Sequence, residues 1–213
     1  MLKIHHLGHS QSERILWLCE ELALPYEIRH HIRDHVTLLS PPELKALHPL
    51  GAAPLIEDDG LTLAESAAIV EYIIVKHGGG RLKLSPDHPD YADFLYWFHF
   101  SNGNLQPALG RLMMMTRAKL PADDPLQASV QARLDRAMAL VEARLGERPH
   151  LAGSEFTAAD IMIVFSLTTM RLFQPVDLGP YSNVRAYLKR IGERPAYQRA
   201  MAKGDPELTP MLS

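Results

Sequence analysis

The sequence predicts a small α/β domain followed by an all-helical domain. Within residues 1–80, short apolar runs typical of strands alternate with longer segments in which apolar residues recur at helical spacing. Residues 81–90 contain two prolines and no periodicity, which is typical of a linker. Across residues 91–213 the periodic segments have helical spacing, and none favours a strand. A chain of 213 residues is long enough to bury a core in each domain.

The predicted order of elements in the first domain is β-α-β-α-β-β-α. We expect strands at 2–7, 25–32, 54–58 and 60–64, and helices at 9–22, at 40–47 and from Glu65 to the glycines at 78–80. Ser10 or Ser12 is the expected N-cap of the first helix. The first β-α-β segment should contain a parallel strand pair. Asp59–Gly60 is a tight-turn sequence, so the last two strands should form an antiparallel hairpin.

The second domain is predicted to be a bundle of helices. The periodic segments lie at 91–120, 124–145, 156–172 and 183–202. Thr157–Ala158–Ala159–Asp160 has the pattern of a capping box, with Phe156 and Ile161 at the positions of a hydrophobic staple. Met113–Met114–Met115 and the aromatic residues of 96–100 suit either a helix core or the wall of an apolar pocket.

Composition and charge exclude several classes of protein. The net charge is −3, from 22 basic and 25 acidic residues, which argues against a nucleic-acid-binding protein. Cys19 is the only cysteine, so an internal disulfide and a CxxC motif are impossible. No apolar run has the length of a membrane span, and the first residues lack the pattern of a signal peptide. We therefore expect a cytoplasmic protein with no membrane partner.

Histidines cluster in two places along the chain, which raises the question of a metal site. The clusters consist of His5, His6 and His9, and of His30, His31 and His35. Neighbouring residues of a strand point to opposite faces of a sheet, and neither cluster has cysteine or acidic partners at ligand spacing. No metal site is expected.

The segment 48–66, HPLGAAPLIEDDGLTLAES, combines a proline turn, a hairpin and the start of a helix. Proline lacks an N–H and belongs at the first residue of a strand. A cis bond before Pro54 would leave the backbone of Ala53 open to an extended peptide. A helix N-terminus favours a carboxylate, Ser66 adds a hydroxyl donor, and Glu65 can accept from an ammonium. The pair Glu65–Ser66 suits the α-amino, α-carboxylate end of an amino acid, or it simply caps the helix.

The motifs of this segment, HPLGAAPLIEDDGLTLAESAAIVEYI, resemble the thioredoxin-like half of the cytosolic glutathione transferases. That family has a Pro-x-Gly-x-x-Pro turn with a cis-proline, a hairpin, and Glu/Gln-Ser opening a helix. HSQSERILWLCEELALPYEI resembles the first helix and second strand of the family. FTAADIMI resembles the capped helix at the centre of its helical domain. The resemblance runs along the whole chain in the same order and implies a serine-type, bacterial-like member.

The resemblance implies roles for four residues in holding glutathione. Ala53, beside Pro54, would pair with the cysteinyl backbone of the tripeptide. Glu65 and Ser66 would hold its γ-glutamyl end. The residue before Ala53 often carries a lysine or glutamine in the family, whereas this chain has Ala52. The glycine carboxylate then needs another cation, and the candidates are His35, in the appropriate loop, with Arg33, Lys45 and His48 as alternatives.

A transferase must also ionise the glutathione thiol, whose ordinary pKa is about 8.5. Ser10 stands four residues before Arg14, a spacing at which this segment resembles serine-type members, so we assign the thiolate-stabilising hydroxyl to Ser10. Ser12, or a backbone N–H, is the reserve. His9 is a weaker candidate because it titrates in the working range. Cys19 lies on the apolar stripe of the first helix and is expected to be a buried, inert thiol.

The resemblance implies an enzyme that joins glutathione, its co-substrate, to small hydrophobic electrophiles, a detoxification reaction. Another glutathione-dependent activity, such as peroxide reduction or isomerisation, stays open. So does a non-catalytic binding module of the same fold. Members of the family are usually two-fold dimers, so we expect a homodimer, the commonest assembly in any case.

Overall fold

A computed structural model of the chain describes residues 1–121 and 123–213, which form two compact units. Met1–Lys83 and Gly192–Pro210 make the first unit, and Leu84–Ile191 with Met211–Ser213 make the second. The first unit contains a mixed sheet and the second is helical, so the predicted fold class is confirmed. The predicted domain limits stay a prediction, and the structure adds that residues 192–210 belong to the first unit.

The sheet of the first unit has four strands in the order β2-β1-β3-β4. The strands are β1 (Lys3–Leu7), β2 (Glu27–His31), β3 (Leu55–Asp58) and β4 (Leu61–Ala64). β1 pairs with β2 in parallel, and β3 pairs antiparallel with both β1 and β4. Asp59 and Gly60 both have positive φ, 47° and 85°. A two-residue hairpin turn needs this backbone if its twist is to match that of the two strands. The parallel pair and the hairpin are thus present as predicted.

The helices alternate with these strands in the first unit and then continue through the second. They are α1 (Glu13–Leu22), α2 (Pro42–Lys45), α3 (Ser66–Lys76), α4 (Tyr91–Phe100), α5 (Gln106–Arg117), α6 (Pro125–Glu147), α7 (Ala158–Leu167), α8 (Ser182–Gly192) and α9 (Pro195–Gly204). No helix within the described ranges is long and apolar enough to cross a membrane.

Helix α1 begins four residues later than the predicted range of 9–22. His9 has a left-handed backbone with φ of 53°, which a helix cannot include, so residues 9–12 form a turn. Ser12 occupies the N-cap position, but its side chain makes no capping hydrogen bond. Ser12 is therefore the N-cap residue, one of the two expected, but its hydroxyl contacts Leu7 and His6 instead of capping the helix.

Helix α9 packs against α1 within the first unit. The indole of Trp17 meets the ring of Tyr197 edge-on, with centroids 5.0 Å apart. Arg199 Nε lies 2.7 Å from Glu20 Oε2, and Arg194 Nε lies 2.7 Å from Glu21 Oε1. An apolar contact flanked by ion pairs therefore fixes the C-terminal helix beside α1.

Three of the predicted helices in the second half are interrupted, two of them at or near a proline. The predicted 91–120 segment contains a π-helical turn at Ser101–Leu105 between α4 and α5. Pro107 has no N–H to donate to the carbonyl of Gly103, so the regular ladder cannot pass this point. The predicted 183–202 segment breaks into α8 and α9 before Pro195, because a residue that precedes proline avoids the helical backbone.

The predicted capping box of α7 is present. The Ala159 N–H donates to Thr157 Oγ1 at 3.3 Å, and the Thr157 N–H donates to Asp160 Oδ2 at 2.9 Å. Asp160 is fully buried and also accepts from the Tyr187 hydroxyl at 2.9 Å. Within the predicted 156–172 segment, α7 ends at Leu167 and a 3-10 turn follows over Thr169–Leu172.

Candidate active site

Ser10 lies in the turn between β1 and α1, where the chain leaves the central strand of the sheet. The residue is buried, at 7% exposure. Its Oγ accepts from the backbone N–H of Ser12 at 3.2 Å and lies 2.7 Å from Ser12 Oγ. A hydroxyl has one donor and two acceptor sites, so the Ser10 hydroxyl has capacity for one more partner.

The hydroxyl of Ser12 faces the interior of the first unit. It accepts from the Leu7 N–H at 3.2 Å and lies 2.9 Å from His6 Nδ1. Ser12 is fully buried, and its hydroxyl is already in contact with Leu7, His6 and Ser10. Of the two serines proposed as thiol activators, Ser10 is the one nearer to solvent.

The bond between Ala53 and Pro54 is cis. Ala53 lies two residues before the first registered pair of β3 and is half-buried, packed on a cluster that includes Leu7 and Leu44. Ala53 is therefore outside the strand ladder and close to the end of β1, which is where the predicted role in backbone pairing requires it.

Glu65 and Ser66 stand at the junction of β4 and α3. Glu65 occupies the N-cap position with φ of 74°, and its side chain is exposed and makes no capping bond. Ser66 is buried and is the first residue of the helix. Its hydroxyl donates to Gln11 Oε1 at 3.1 Å, which brings the start of α3 beside the turn that carries Ser10. The side chains of this pair make no capping hydrogen bond, and their role in ligand binding stays a prediction.

A buried arginine holds this junction together, a role that the sequence did not predict. Arg14 is fully buried, and its Nη1 donates to Ser66 Oγ at 3.0 Å and to Gln11 Oε1 at 2.7 Å. Burial lowers the pKa of Arg14 to about 9, although the charges of Glu13 and Glu65 oppose the change. An arginine on the apolar stripe of α1 was the signal that could have identified it.

The candidates for binding the glycine carboxylate lie in the segment 32–50. His35 lies in a turn and Lys45 lies on α2, and both side chains are exposed. Arg33 donates to the carbonyls of Gly8, His9 and Leu38, so its guanidinium is engaged by the backbone. These contacts favour His35 or Lys45 over Arg33.

Each histidine cluster is divided between the two faces of the sheet, as expected for adjacent strand residues: His5 lies with His31 and His6 with His30. His5 contacts His31, with Nδ1 2.9 Å from Nε2, and Glu57, with Nε2 2.7 Å from Oε1. His6 instead faces α1, through Ser12. Within residues 1–121 and 123–213, no group of three or more histidine, cysteine or acidic side chains is arranged to hold a metal ion.

Cys19 is fully buried in α1. Burial raises the pKa of its thiol to about 12, and the charge of Glu20 adds to the effect. The thiol is therefore protonated at neutral pH and inaccessible, which makes it a poor nucleophile.

Comparisons with known proteins cover both halves of the chain. The family models described as "Glutathione S-transferase, N-terminal domain" and "Glutathione S-transferase, C-terminal domain" match residues 10–74 and 115–190. Glutathione S-transferase 3 of Schizosaccharomyces pombe is 31% identical over 95% of this chain and 88% of its own length. A solved glutathione S-transferase of Actinobacillus pleuropneumoniae is 30% identical, with a TM-score of 0.88 over 96% of this chain and 93% of that one. A Pseudomonas fluorescens Pf-5 family member solved with two glutathione bound has a TM-score of 0.77 at 22% identity, covering 94% of this chain and 92% of its own.

Proposed function

The chain belongs to the glutathione S-transferase family, as its motifs predict, and on that premise we propose that it conjugates glutathione to small apolar electrophiles. The observation that carries the proposal is the junction of two segments. The turn with Ser10 and the start of α3 with Ser66 meet through Gln11 and Arg14. One segment supplies a hydroxyl for a thiolate and the other a helix N-terminus for a carboxylate.

Each of the predicted binding residues contacts a different part of glutathione. Ser66, through its backbone N–H and with the other first N–H groups of α3, binds the γ-glutamyl carboxylate, while its hydroxyl stays bonded to Gln11 and Arg14. Exposed Glu65 accepts from the neighbouring ammonium. The backbone of Ala53, fixed by the cis bond to Pro54, pairs with the cysteinyl residue. His35 binds the glycine carboxylate. Because Ala52 contributes no side-chain hydrogen bond, we expect weaker binding than in relatives with lysine or glutamine there.

Ser10 then acts on the thiol. Its hydroxyl donates to the sulfur and stabilises the thiolate, and holding the electrophile beside it supplies proximity. The inert Cys19 argues against a mechanism in which a cysteine of this chain exchanges disulfides with glutathione. Peroxide reduction or isomerisation through the glutathione sulfur itself would use the same Ser10 contact, and a substrate panel separates these reactions.

Calorimetry and turnover together test this function. We expect the chain to bind glutathione and S-methylglutathione and to conjugate a chromogenic aryl halide. Binding without conjugation, but with turnover of a hydroperoxide or an isomerisable substrate, would favour the alternative glutathione chemistry. Absence of both binding and turnover would favour a non-catalytic module.

We also propose that the protein is a cytoplasmic homodimer. Large apolar side chains are exposed over the segment 32–50, among them Ile32, Val36, Leu39 and Leu50, and such a surface is typical of an interface. A second copy of this chain is the proposed occupant. Light scattering should give twice the monomer mass for the wild type, and the substitution Val36→Glu should reduce the measured mass to that of the monomer. A monomeric wild-type chain would contradict the dimer.

A further inference from the structure

A line of polar contacts leads from Ser10 into the interior of the first unit. Ser10 Oγ lies 2.7 Å from Ser12 Oγ, which lies 2.9 Å from His6 Nδ1. His6 Nε2 in turn lies 3.2 Å from Asp205 Oδ2, beyond the end of α9. All four residues are at most 9% exposed. The serine that faces the proposed thiol is therefore connected to a buried histidine–carboxylate pair.

Close packing fixes the histidine–carboxylate pair. The His9 N–H donates to Asp205 Oδ1 at 3.1 Å. A Cβ on Gly8 would stand 3.0 Å from the same oxygen, and a Cβ on Gly204 would stand 3.1 Å from His6 Cε1. Both glycines thus permit an approach that a larger residue would prevent.

When His6 is neutral, the hydrogen-bond capacity of each group indicates which atom carries each proton. We assign the proton of neutral His6 to Nε2, which faces the acceptor-only Asp205 carboxylate in an ion-pair contact of 3.2 Å that lacks hydrogen-bond geometry. Nδ1 then accepts from the Ser12 hydroxyl. Ser12 Oγ also accepts from the Leu7 N–H, which leaves one lone pair for the Ser10 hydroxyl. The Ser12 hydroxyl can also donate to the Leu7 carbonyl at 3.3 Å, but His6 Nδ1 is the nearer acceptor. With that acceptor, the hydroxyl protons of Ser10 and Ser12 both point toward His6.

The same groups are satisfied when His6 is an imidazolium. Nδ1 then donates to Ser12 Oγ, and the Ser12 hydroxyl donates to Ser10 Oγ. The Ser10 hydroxyl is left to donate outward, toward a thiolate. The two protonation states of His6 correspond to the two directions of the serine hydroxyls.

We propose that His6, oriented by Asp205, takes up the glutathione thiol proton through Ser12 and Ser10, which deepens the proposed function and rests on it. The S–H proton passes to Ser10 Oγ, the Ser10 proton to Ser12 Oγ, and the Ser12 proton to His6 Nδ1. The sulfur keeps the bonding electron pair and accepts a hydrogen bond from Ser10. His6 becomes an imidazolium beside the Asp205 carboxylate. Since they act through the serines, His6 and Asp205 are positioning residues.

The charges around the pair favour this transfer. Burial opposes ionisation of Asp205, but its interactions with His6 and the His9 N–H hold the pKa of the carboxyl below its ordinary value. The other titratable groups that interact with the pair come from β2 and the adjoining loops: His30, His31, Arg33 and His9. Burial and the charge of His6 lower the pKa of His30, which favours the neutral form of His30.

Nitrogen-15 NMR of the histidine-labelled wild-type protein tests the transfer directly. Full-length His6→Asn identifies the His6 signals. Glutathione should convert both ring nitrogens of His6 to the protonated form, whereas S-methylglutathione, which has no thiol proton, should leave His6 as in the free protein. A His6 that stays neutral while bound glutathione is ionised would overturn the relay. Failure of both ligands to bind would overturn the proposed function and the relay with it.

Asp205→Asn tests the pair by a second measurement. We expect the pKa of bound glutathione to rise and kcat/KM at neutral pH to fall about 10-fold or more, with the loss recovered at high pH and S-methylglutathione affinity retained. His5→Asn is the matched control, because His5 is a buried histidine of the same strand with a carboxylate partner but no contact with Ser12 among the bonds described. An unshifted thiol pKa in Asp205→Asn, beside a shifted one in Ser10→Ala, would overturn the relay and leave the proposed function intact.

Discussion

Nη1 of Arg14 donates to Ser66 Oγ over 3.0 Å, which joins the first helix of the chain to the first residue of α3. The same nitrogen donates to Gln11 Oε1 over 2.7 Å. Because the guanidinium is fully buried, each of these hydrogen bonds replaces one that the charged group would make to water in the unfolded chain. The two segments proposed to hold glutathione are therefore positioned by one buried charge.

Removing the Ser66 hydroxyl should weaken both this junction and glutathione binding. Ser66→Ala deletes a partner of a buried charge, so we expect a loss of about 1–3 kcal/mol in the free energy of unfolding. The dissociation constant for S-methylglutathione should rise about 10-fold, which corresponds to ~1.4 kcal/mol. Denaturant unfolding and calorimetry measure the two effects.

The control for this variant is Ser85→Ala, which removes a hydroxyl from the exposed segment before α4. It should change neither quantity beyond experimental error. If Ser66→Ala bound the ligand as tightly as the wild type, Ser66 would have no part in the glutathione site.

Glu20 should make the first unit sensitive to acid. Burial opposes its ionisation, but hydrogen bonds from Lys203, Tyr26 and Arg199 lower its pKa to about 2. The pKa is depressed in the folded state, so the stabilisation is present above the unfolded value of about 4.3 and is lost as pH falls toward 2. Glu20→Gln should flatten the dependence of the free energy of unfolding on pH in this window.

The matched control for the acid prediction is Glu207→Gln, because Glu207 is exposed. Unfolding by urea at several pH values between 2 and 6 would compare the variants. A Glu20→Gln protein that kept the acid sensitivity of the wild type would contradict the assignment to this carboxylate.

Gly204 should tolerate no side chain. A Cβ there would stand 2.7 Å from Leu16 Cδ1 and 3.1 Å from His6 Cε1, so Gly204→Ala should cost about 1–3 kcal/mol of stability through overpacking. Gly110, inside α5, has no heavy atom within 4 Å of the corresponding position. Gly110→Ala should instead stabilise by about 0.5–1 kcal/mol through helix propensity. Thermal unfolding of the two variants distinguishes these outcomes, and equal effects would contradict the packing described around His6.

Local patterns were sufficient to predict most of the fold. The Asp59–Gly60 turn and the change from alternating to helical periodicity predicted the order of elements along the chain, the hairpin, and the α/β and all-helical halves. The pairing of β1 with β3, which sets the order of strands in the sheet, was not predicted. Pro107 and Pro195 were visible in the sequence, but helical periodicity continues across both, and it concealed the breaks in the backbone. The actual start of α1 depends on the left-handed backbone of His9, a residue type that gives little indication of it.

Candidate site residues could be proposed from the sequence where they lie in a recognisable motif. Ala53, Pro54, Glu65 and Ser66 share a motif, so a resemblance could assign them. The contact of His6 with Asp205 joins opposite ends of the chain and exists only because α9 returns to pack on α1. No local pattern distinguishes Asp205 from an exposed aspartate, and the sequence-based interpretation omitted it.

The central claim is that the Ser10 hydroxyl stabilises the glutathione thiolate, and the pKa of bound glutathione tests it most directly. Ultraviolet absorbance of the thiolate, followed against pH at saturating glutathione, gives this value for the wild type, Ser10→Ala and Ser12→Ala. The account predicts a wild-type thiol pKa below the ordinary value of about 8.5. In Ser10→Ala it predicts a return toward that value with S-methylglutathione affinity retained. A pKa in Ser10→Ala equal to that of the wild type would contradict the account and transfer the role to Ser12 or to a backbone N–H.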